Sequence, residues 1–187
     1  MRKGEIRTME IDGKERQVSF LGKGRFSTCW AENDRVWCYS NDVAKECLAL
    51  WGEDIKHVPQ WKVVDHLGYN QIHLYKGTLY EPLMAKDKEA WQQFKILKHS
   101  NKVARGMIRT YSSSGHFWRL HGYDVAQKTI DVVRDKLPEP LVLALESILD
   151  CSANLGSSVT FEFAKRNLAM YKGDLILLDI VFDTEKV

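Results

Sequence analysis

The sequence has little that would direct it to a membrane or to an oxidising compartment. Its 187 residues contain no apolar run approaching the roughly 20 residues that are needed to span a bilayer. We also expect no signal peptide, because Arg2 and Lys3 are not followed by an apolar core. The four cysteines are scattered without a CxxC pair, which favours reduced thiols over a disulfide framework. We therefore expect a cytoplasmic protein with no membrane partner.

Other absences narrow the class of function. The net charge is only +2, so overall charge points to neither a nucleic acid nor a membrane. The six histidines form no HxxxH or HxH pair, and this makes a structural metal site unexpected. No glycine-framed serine follows a predicted strand, so a Ser/His/Asp hydrolase is not indicated. Nothing in the chain repeats, and 44% hydrophobic residues is ordinary for a globular protein.

Hydrophobic periodicity predicts an α+β protein whose first half is rich in strands. The segment 57–60 is predicted to be extended, because a residue before proline avoids the helical region. The helix at 138–154 is apolar on nearly every side, which predicts that it is buried. The remaining predicted helices are 42–51, 87–109 and 124–136, and the predicted strands are 6–11, 16–21, 27–31, 35–39, 61–66, 71–75, 159–163, 168–171 and 175–178, with a further extended segment at 78–83.

A glycine-bearing motif, GKGRFSTCW at positions 22–30, directly follows an apolar strand. Gly22 and Gly24 allow a backbone to come close to phosphate oxygens, because no Cβ stands in the way. The motif lies between two predicted strands and carries Phe26 at its tip. Such a hairpin suits nucleotide phosphates, although a glycine-bearing hairpin turn is also common in proteins that bind none.

A second motif lies near the end of the chain, where Asn167 and Asp179 flank a predicted hairpin. Phosphoryl transfer needs oxygen ligands for Mg²⁺ on a rigid element, and an amide with a carboxylate meets that need. The plainer interpretation is an asparagine that starts a strand and a surface aspartate that ends one. Asp179 follows the apolar run LILL, and a carboxylate directly after a buried strand favours a cleft.

Together these residues resemble the protein-kinase-like superfamily, most closely the small, divergent kinase-like proteins encoded by bacteriophages. The resemblance covers nearly the whole chain and implies a bilobal fold. A β-rich N-lobe would occupy residues 1–83, and a truncated helical C-lobe with the metal-site hairpin would occupy 84–187. The implied ligands are ATP and Mg²⁺, with the metal held by Asn167 and Asp179. The implied nucleotide contacts are Gly22, Lys23, Gly24, Ser27, Lys45 and Glu46.

The chain departs from this family at residues that carry catalysis. Ser27 replaces the third loop glycine, and no lysine stands at positions 38–40, where the family's ATP-anchoring lysine belongs. Lys23 or Lys45 would have to substitute for it. Glu162 stands at the catalytic aspartate, and a misplacement of ~1 Å can slow a reaction on the order of 100-fold. The segment that normally binds a protein substrate is also missing, so the resemblance implies an impaired or inactive kinase.

One further feature is independent of the family, since residues 95–122 contain no Asp or Glu. Cations recur there at every third or fourth residue, which places them along one helix face. They are Lys95, Lys98, Lys102, Arg105 and Arg109. A solvated helix face is the plain interpretation. A docking face for an acidic protein surface or a nucleic-acid backbone is the sharper one.

Three hypotheses therefore follow from the sequence. The leading one is a bacteriophage-type pseudokinase that binds and modulates a host protein in the host cytoplasm and retains nucleotide binding. The first alternative is an active atypical Ser/Thr protein kinase in which Glu162 is the catalytic base. The second alternative is a nucleic-acid-binding protein that uses the basic face at 95–122.

Overall fold

The computed structural model describes residues 2–24, 26–52, 54–66, 72–109, 121–153 and 158–183. The chain divides into two compact units. The first unit comprises Met1–Glu53 and Pro59–Leu79, and the second comprises Asp54–Val58 and Tyr80–Val187. The short segment 54–58 thus belongs to the second unit although the chain then returns to the first. The chain leaves the first unit after Leu79, whereas the sequence placed the lobe boundary after residue 83.

The first unit is built on one antiparallel sheet. Its strands are β1 (Ile6–Ile11), β2 (Lys14–Lys23), β3 (Ser27–Glu32), β4 (Arg35–Ser40), β5 (Trp61–His66) and β6 (His73–Thr78). They lie in the order β1-β2-β3-β4-β6-β5. Helix α1 (Val43–Trp51) follows β4 in the chain. It begins where the Asp42 carboxylate accepts a hydrogen bond from the Ala44 amide at 3.0 Å, as the sequence predicted.

Tight turns set the register of the first hairpins. Asp12 and Gly13 have φ angles of 55° and 64°, the left-handed region that these residue types tolerate. Asn33, with φ of 54°, turns the chain between β3 and β4. The predicted turns at both places are confirmed. Because side chains alternate along a strand, each register also decides which residues share a face of the sheet.

The two faces of this sheet differ in chemistry. One is apolar, and its buried cluster consists of Ile11, Val18, Phe20, Trp30, Trp37 and Leu74. The opposite face is more polar, and we call it the cysteine face. It carries Gly22, Ser27, Cys29, Cys38, Ser40 and Tyr75, which the strand pairings place on the same side. The Lys45 side chain of α1 reaches this face, where it contacts Ser27.

The second unit combines helices with short strands. Its helices are α2 (Lys88–Arg109), α3 (Gly122–Val133) and α4 (Glu139–Ser152). Its strands are β7 (Glu81–Pro82), β8 (Val159–Phe161), β9 (Leu168–Tyr171), β10 (Asp174–Leu177) and β11 (Val181–Asp183). The sheets have the orders β10-β9-β7 and β11-β8. Lys172 and Gly173, with φ of 51° and 91°, form the predicted turn between β9 and β10.

Two predictions about local structure are wrong, and one strand was not predicted. His57 is not extended: its φ is 68°, and its carbonyl accepts from the Leu177 amide at 2.9 Å while ring Nδ1 lies 2.7 Å from the Leu175 carbonyl oxygen. Helix α4 is not buried all round, because Leu143 is 50% exposed. Strand β11 was not predicted, and it pairs with β8.

Within the described ranges, no helix is both long and apolar enough to cross a membrane.

Candidate functional site

The glycine motif forms the connection between β2 and β3. The Gly24 amide donates to the Ser27 carbonyl at 2.8 Å, which closes the hairpin. Phe26 at the tip is 41% exposed. The predicted order of strand, turn and strand is confirmed, and Arg25 lies outside the described residues. The hairpin is therefore a short one whose tip presents an aromatic ring to solvent.

Gly22 leaves an opening on the cysteine face. It lies opposite Cys29 in the β2–β3 pair. A Cβ added to Gly22 would meet nothing within 4 Å among the described residues, and its φ lies outside the left-handed region. Glycine is thus not required here by backbone strain or by a close neighbour. Its effect is to leave the backbone accessible beside β3.

Lys45 is the cation that reaches the hairpin from α1. Its side chain is buried, with 6% exposure, and Nζ lies 3.5 Å from the Ser27 hydroxyl and 4.9 Å from the centre of the Trp61 ring. The Ser40 hydroxyl donates to the Phe26 carbonyl at 3.0 Å and lies 2.7 Å from the Ser27 hydroxyl. Because the Ser40 hydroxyl proton is used in that bond, the Ser27 hydroxyl must donate to Ser40, and it accepts from Lys45. The hydrogen bonds therefore run from Lys45 through Ser27 and Ser40 to the Phe26 carbonyl.

The strand register separates the two candidate lysines. Lys23 lies opposite Thr28, whose side chain shares the apolar face with Trp30, and Lys23 is exposed. Lys45 instead reaches the cysteine face. Through the Ser27 hydroxyl it is linked to Ser40, which is within the 38–40 segment where the resemblance expects a lysine. The two lysines therefore lie on opposite faces of the sheet.

Glu46 lies next to a pair of histidines. Its Oε1 is 3.6 Å from His73 Nε2, and His73 Nδ1 is 2.8 Å from His66 Nδ1. The Tyr75 ring beside them is fully buried, and its hydroxyl has no hydrogen-bond partner among the described residues. Burial, and then the charges of Glu46 and Asp42, raise the pKa of the Tyr75 phenol. Tyr75 is therefore neutral at physiological pH.

In the second unit, Glu162 and Asn167 lie in direct contact. Asn167 Nδ2 donates to the Glu162 carbonyl at 3.2 Å and to Glu162 Oε2 at 3.1 Å. Glu162 Oε1 accepts from Arg166 Nη2 at 2.9 Å. Because the Glu162 carbonyl oxygen and Oε2 can only accept, the amide group of Asn167 must direct its nitrogen toward them. The amide oxygen is then the end that remains for another ligand.

Backbone hydrogen bonds close the hairpin between Asn167 and Asp179. The amides of Leu178 and Asp179 both donate to the Asn167 carbonyl, at 2.9 and 3.3 Å. Asn167 is 8% exposed, and Asp179 is exposed. Across the described ranges, no group of three or more His, Cys, Asp or Glu side chains could hold a metal ion. An amide oxygen and one carboxylate suit Mg²⁺ only if water or phosphate supplies the other ligands.

The predicted basic face is only partly a free surface. Lys95, Lys98 and Lys102 are exposed along α2, and none of them forms an ion pair with another described residue. Arg105 differs, because its Nη2 donates to the Phe161 carbonyl at 3.2 Å and burial lowers its pKa. The side chain of Arg109 and residues 110–120 lie outside the described part of the chain.

Sequence reasoning missed the contacts on the cysteine face. Cys29 Sγ lies 2.8 Å from Cys38 Sγ, and the two residues are directly opposite in the β3–β4 pair. This contact could have been found, because a hairpin that turns at Asn33 and Asp34 places Cys29 opposite Cys38. The direction of the Lys45 side chain had no such signal in the sequence.

The sequence matches no protein-family model, and no curated protein matches it.

Proposed function

We propose that the chain is a divergent member of the protein-kinase-like superfamily that binds a nucleotide and acts as a cytoplasmic pseudokinase. The observation that carries the proposal is the position of Lys45. Its ammonium contacts Ser27, which directly follows the glycine hairpin, and Ser27 contacts Ser40. A lysine on α1 would thereby supply the charge that β4 lacks.

The cysteine face offers groups that suit a phosphate. Gly22 leaves the backbone open, the Ser27 hydroxyl can reorient to donate, and Lys45 supplies a buried positive charge. Charge-assisted hydrogen bonds to phosphate are about twice as strong as neutral ones. We assign the phosphate contacts to these three residues and not to Lys23, which lies on the other face of the sheet.

The second unit would contribute to metal binding. The Glu162 contact leaves the Asn167 amide oxygen for a cation, and Asp179 adds a carboxylate. This donor set fits Mg²⁺ that arrives with a nucleotide, since such Mg²⁺ commonly uses one or two protein ligands plus phosphate oxygens and water. When bound, the ion would neutralise phosphate charge.

The contacts of Glu162 favour a pseudokinase over an active kinase. A general base must reach the proton that it accepts, and its carboxylate must be available to do so. Both Glu162 oxygens already accept hydrogen bonds, one from Arg166 and one from Asn167. We infer that Glu162 positions the Asn167 amide rather than accepting a substrate proton.

Thermal unfolding with and without Mg-ATP tests nucleotide binding. We expect millimolar Mg-ATP to raise the midpoint of the wild-type protein, because a ligand that binds only the folded state stabilises it. The rise should be lost in Asp179→Ala and kept in Asp150→Ala, which removes an exposed aspartate from α4. An unchanged rise in Asp179→Ala would remove Asp179 from the proposed metal site.

Phosphate transfer distinguishes the active-kinase alternative. The pseudokinase proposal predicts no transfer of radiolabel from ATP to the chain or to a generic protein substrate. Transfer that is lost in Glu162→Gln would instead support an active atypical Ser/Thr kinase with Glu162 as its base.

The exposed lysines of α2 are the proposed docking surface for a host protein. Lys95, Lys98 and Lys102 form a row without carboxylate partners among the described residues. Lys98 also lies 5.9 Å from the centre of the Phe94 ring, so its ammonium is held near the helix surface. A row of cations favours an acidic protein surface or, as the second alternative, a nucleic-acid backbone.

Charge reversal tests this surface. The double variant Lys98→Glu/Lys102→Glu should lose at least about tenfold in affinity for an acidic partner, since each like-charge contact is unfavourable. Lys136→Glu is the matched control, because Lys136 is an exposed lysine of the same unit. The binding assay uses proteins from a nuclease-treated host lysate. If the double variant binds these proteins as well as the Lys136→Glu control does, the docking surface is contradicted. A salt-dependent gel shift with generic DNA or RNA that only the double variant loses would favour nucleic acid.

A further inference from the structure

The two cysteines on the cysteine face are arranged as partners. Cys29 and Cys38 are directly opposite in antiparallel strands, and their Sγ atoms are 2.8 Å apart. Opposite residues of an antiparallel pair have Cα atoms about 4.5 to 5.5 Å apart. A disulfide accepts Cα separations of about 4.4 to 6.8 Å. The backbone therefore need not move for these two thiols to be joined.

The two thiols differ in access. Cys38 is fully buried, with 0% exposure, whereas Cys29 is partly exposed. On the other side of Cys29, β2 presents Gly22, and a Cβ at Gly22 would meet no described atom within 4 Å. A small molecule can therefore approach Cys29 over the glycine. Cys38 has no exposed surface, and its sulfur lies against that of Cys29.

We propose that Cys29 and Cys38 are a redox site that forms an intramolecular disulfide when the protein meets a small-molecule disulfide such as oxidised glutathione. Without an oxidant the thiols are reduced, as the sequence leads us to expect. Cys29 and Cys38 are the pair that the oxidant would join, because their sulfur atoms are in contact. The proposal does not depend on nucleotide binding, because it uses only the geometry of β2, β3 and β4.

The reaction balances as two exchanges. The Cys29 thiolate attacks one sulfur of the small-molecule disulfide, forms a mixed disulfide and releases one small thiolate. The Cys38 thiolate then attacks Cys29 Sγ, which forms the Cys29–Cys38 bond and releases the second small thiolate. The two protons that leave the cysteines are taken up by the two released thiolates. The cysteines lose two electrons, and the small-molecule disulfide gains them.

The order of attack follows from burial. Exchange requires that the entering disulfide reach the attacking sulfur, and Cys29 is the accessible member. Cys38 then acts as the resolving thiol because it already lies against Cys29. The product would link β3 to β4 beside the glycine hairpin.

The test uses the full chain, reduced, desalted and then incubated with oxidised glutathione. Remaining thiols are labelled with N-ethylmaleimide, and the protein is analysed by intact mass and by tryptic mapping. Trypsin separates the pair, because cleavage after Arg25, Arg35 and Lys45 gives peptides 26–35 and 36–45, each with one cysteine. We expect a loss of two hydrogens, a cross-link between these peptides, and maleimide on Cys47 and Cys151 alone.

Single variants test the order of attack. Cys38→Ser should accumulate glutathione on Cys29 at least about tenfold above the wild type, because the mixed disulfide is not resolved. Cys47→Ser is the matched control and should form the cross-link as the wild type does. The proposal is overturned if the wild-type chain keeps four maleimide labels, if a stable glutathione adduct remains on Cys29, or if the cross-link involves Cys47. The wild-type mapping decides the matter even if a variant fails to fold.

Discussion

Glu32 illustrates how one side chain ties together three strands of the first unit. Its carboxylate accepts from Trp37 Nε1 at 2.9 Å and from Arg16 Nη1 at 3.1 Å. The Arg16 guanidinium also lies 4.7 Å from the centre of the Trp37 ring. The hydrogen bond from Trp37, and then Arg16, lower the pKa of Glu32 below its ordinary 4.5. Ionised Glu32 therefore stabilises the folded state.

We predict that Glu32→Gln lowers the free energy of unfolding at pH 7 by about 1.5–3 kcal/mol, the range for a hydrogen bond to a charged group. Because the folded pKa is depressed, the contribution is complete above 4.5 and is lost as the pH falls through the folded pKa. Urea unfolding of both proteins at several pH values checks this. Glu15→Gln, at an exposed position of β2, should have no measurable effect. A difference between wild type and Glu32→Gln that stays constant at acid pH would contradict the assignment.

At the scale of the element, the approach of α3 to β8 is set by Gly122. A Cβ on Gly122 would lie 2.5 Å from the Ser158 carbonyl oxygen and 2.8 Å from that of Val159. These are backbone atoms, so the helix or the strand would have to move. Gly106, in the exposed part of α2, has nothing within 4 Å of its Cβ position among the described residues.

We predict opposite signs for two identical substitutions. Gly122→Ala should destabilise the second unit by about 1–3 kcal/mol, as overpacking does. Gly106→Ala should stabilise it by roughly 0.5–1 kcal/mol, because alanine is the better helix former. Urea unfolding followed by circular dichroism measures both. Equal effects from the two substitutions would contradict the described approach of α3 to β8.

The elements that sequence predicted well are those with local causes. The Asp12-Gly13 and Lys172-Gly173 turns and the Asp42 cap depend on residues next to one another in the chain. His57 was wrongly predicted because its conformation depends on hydrogen bonds to the β10 segment, more than one hundred residues later. Strand β11 was missed for a similar reason, since pairing with β8 defines it.

At the scale of the whole molecule, the candidate site also has features that local sequence predicts and features that depend on contacts between distant segments. The sequence predicted the hairpin that Asn167 and Asp179 flank, and the hairpin is present, whereas metal binding by these two residues stays a prediction. It could not choose between Lys23 and Lys45, because that choice depends on which face of the sheet each side chain reaches. It also could not show that Arg105 bonds to the Phe161 carbonyl, since α2 and β8 are far apart in the chain.

The molecule thus consists of two units, and the proposed function gives each a separate part. The first would contact phosphate through the cysteine face. The second would hold Mg²⁺ at the β9–β10 hairpin and would dock an acidic partner on α2. The central claim of this proposal is that Lys45 contacts phosphate in place of the lysine that the resemblance expects at positions 38–40.

Calorimetric titration with Mg-ATP of the wild type, Lys45→Met and Lys23→Met tests that claim most directly. Methionine keeps the length of the apolar stem and removes the charge, and thermal unfolding without nucleotide checks that each variant is folded. We predict saturable binding by the wild type, at least about tenfold weaker binding by Lys45→Met, and less than about a twofold change in Lys23→Met, since tenfold corresponds to about 1.4 kcal/mol. Equal affinities of the wild type and a folded Lys45→Met would contradict the role of Lys45, and no binding by the wild type at millimolar Mg-ATP would contradict nucleotide binding itself.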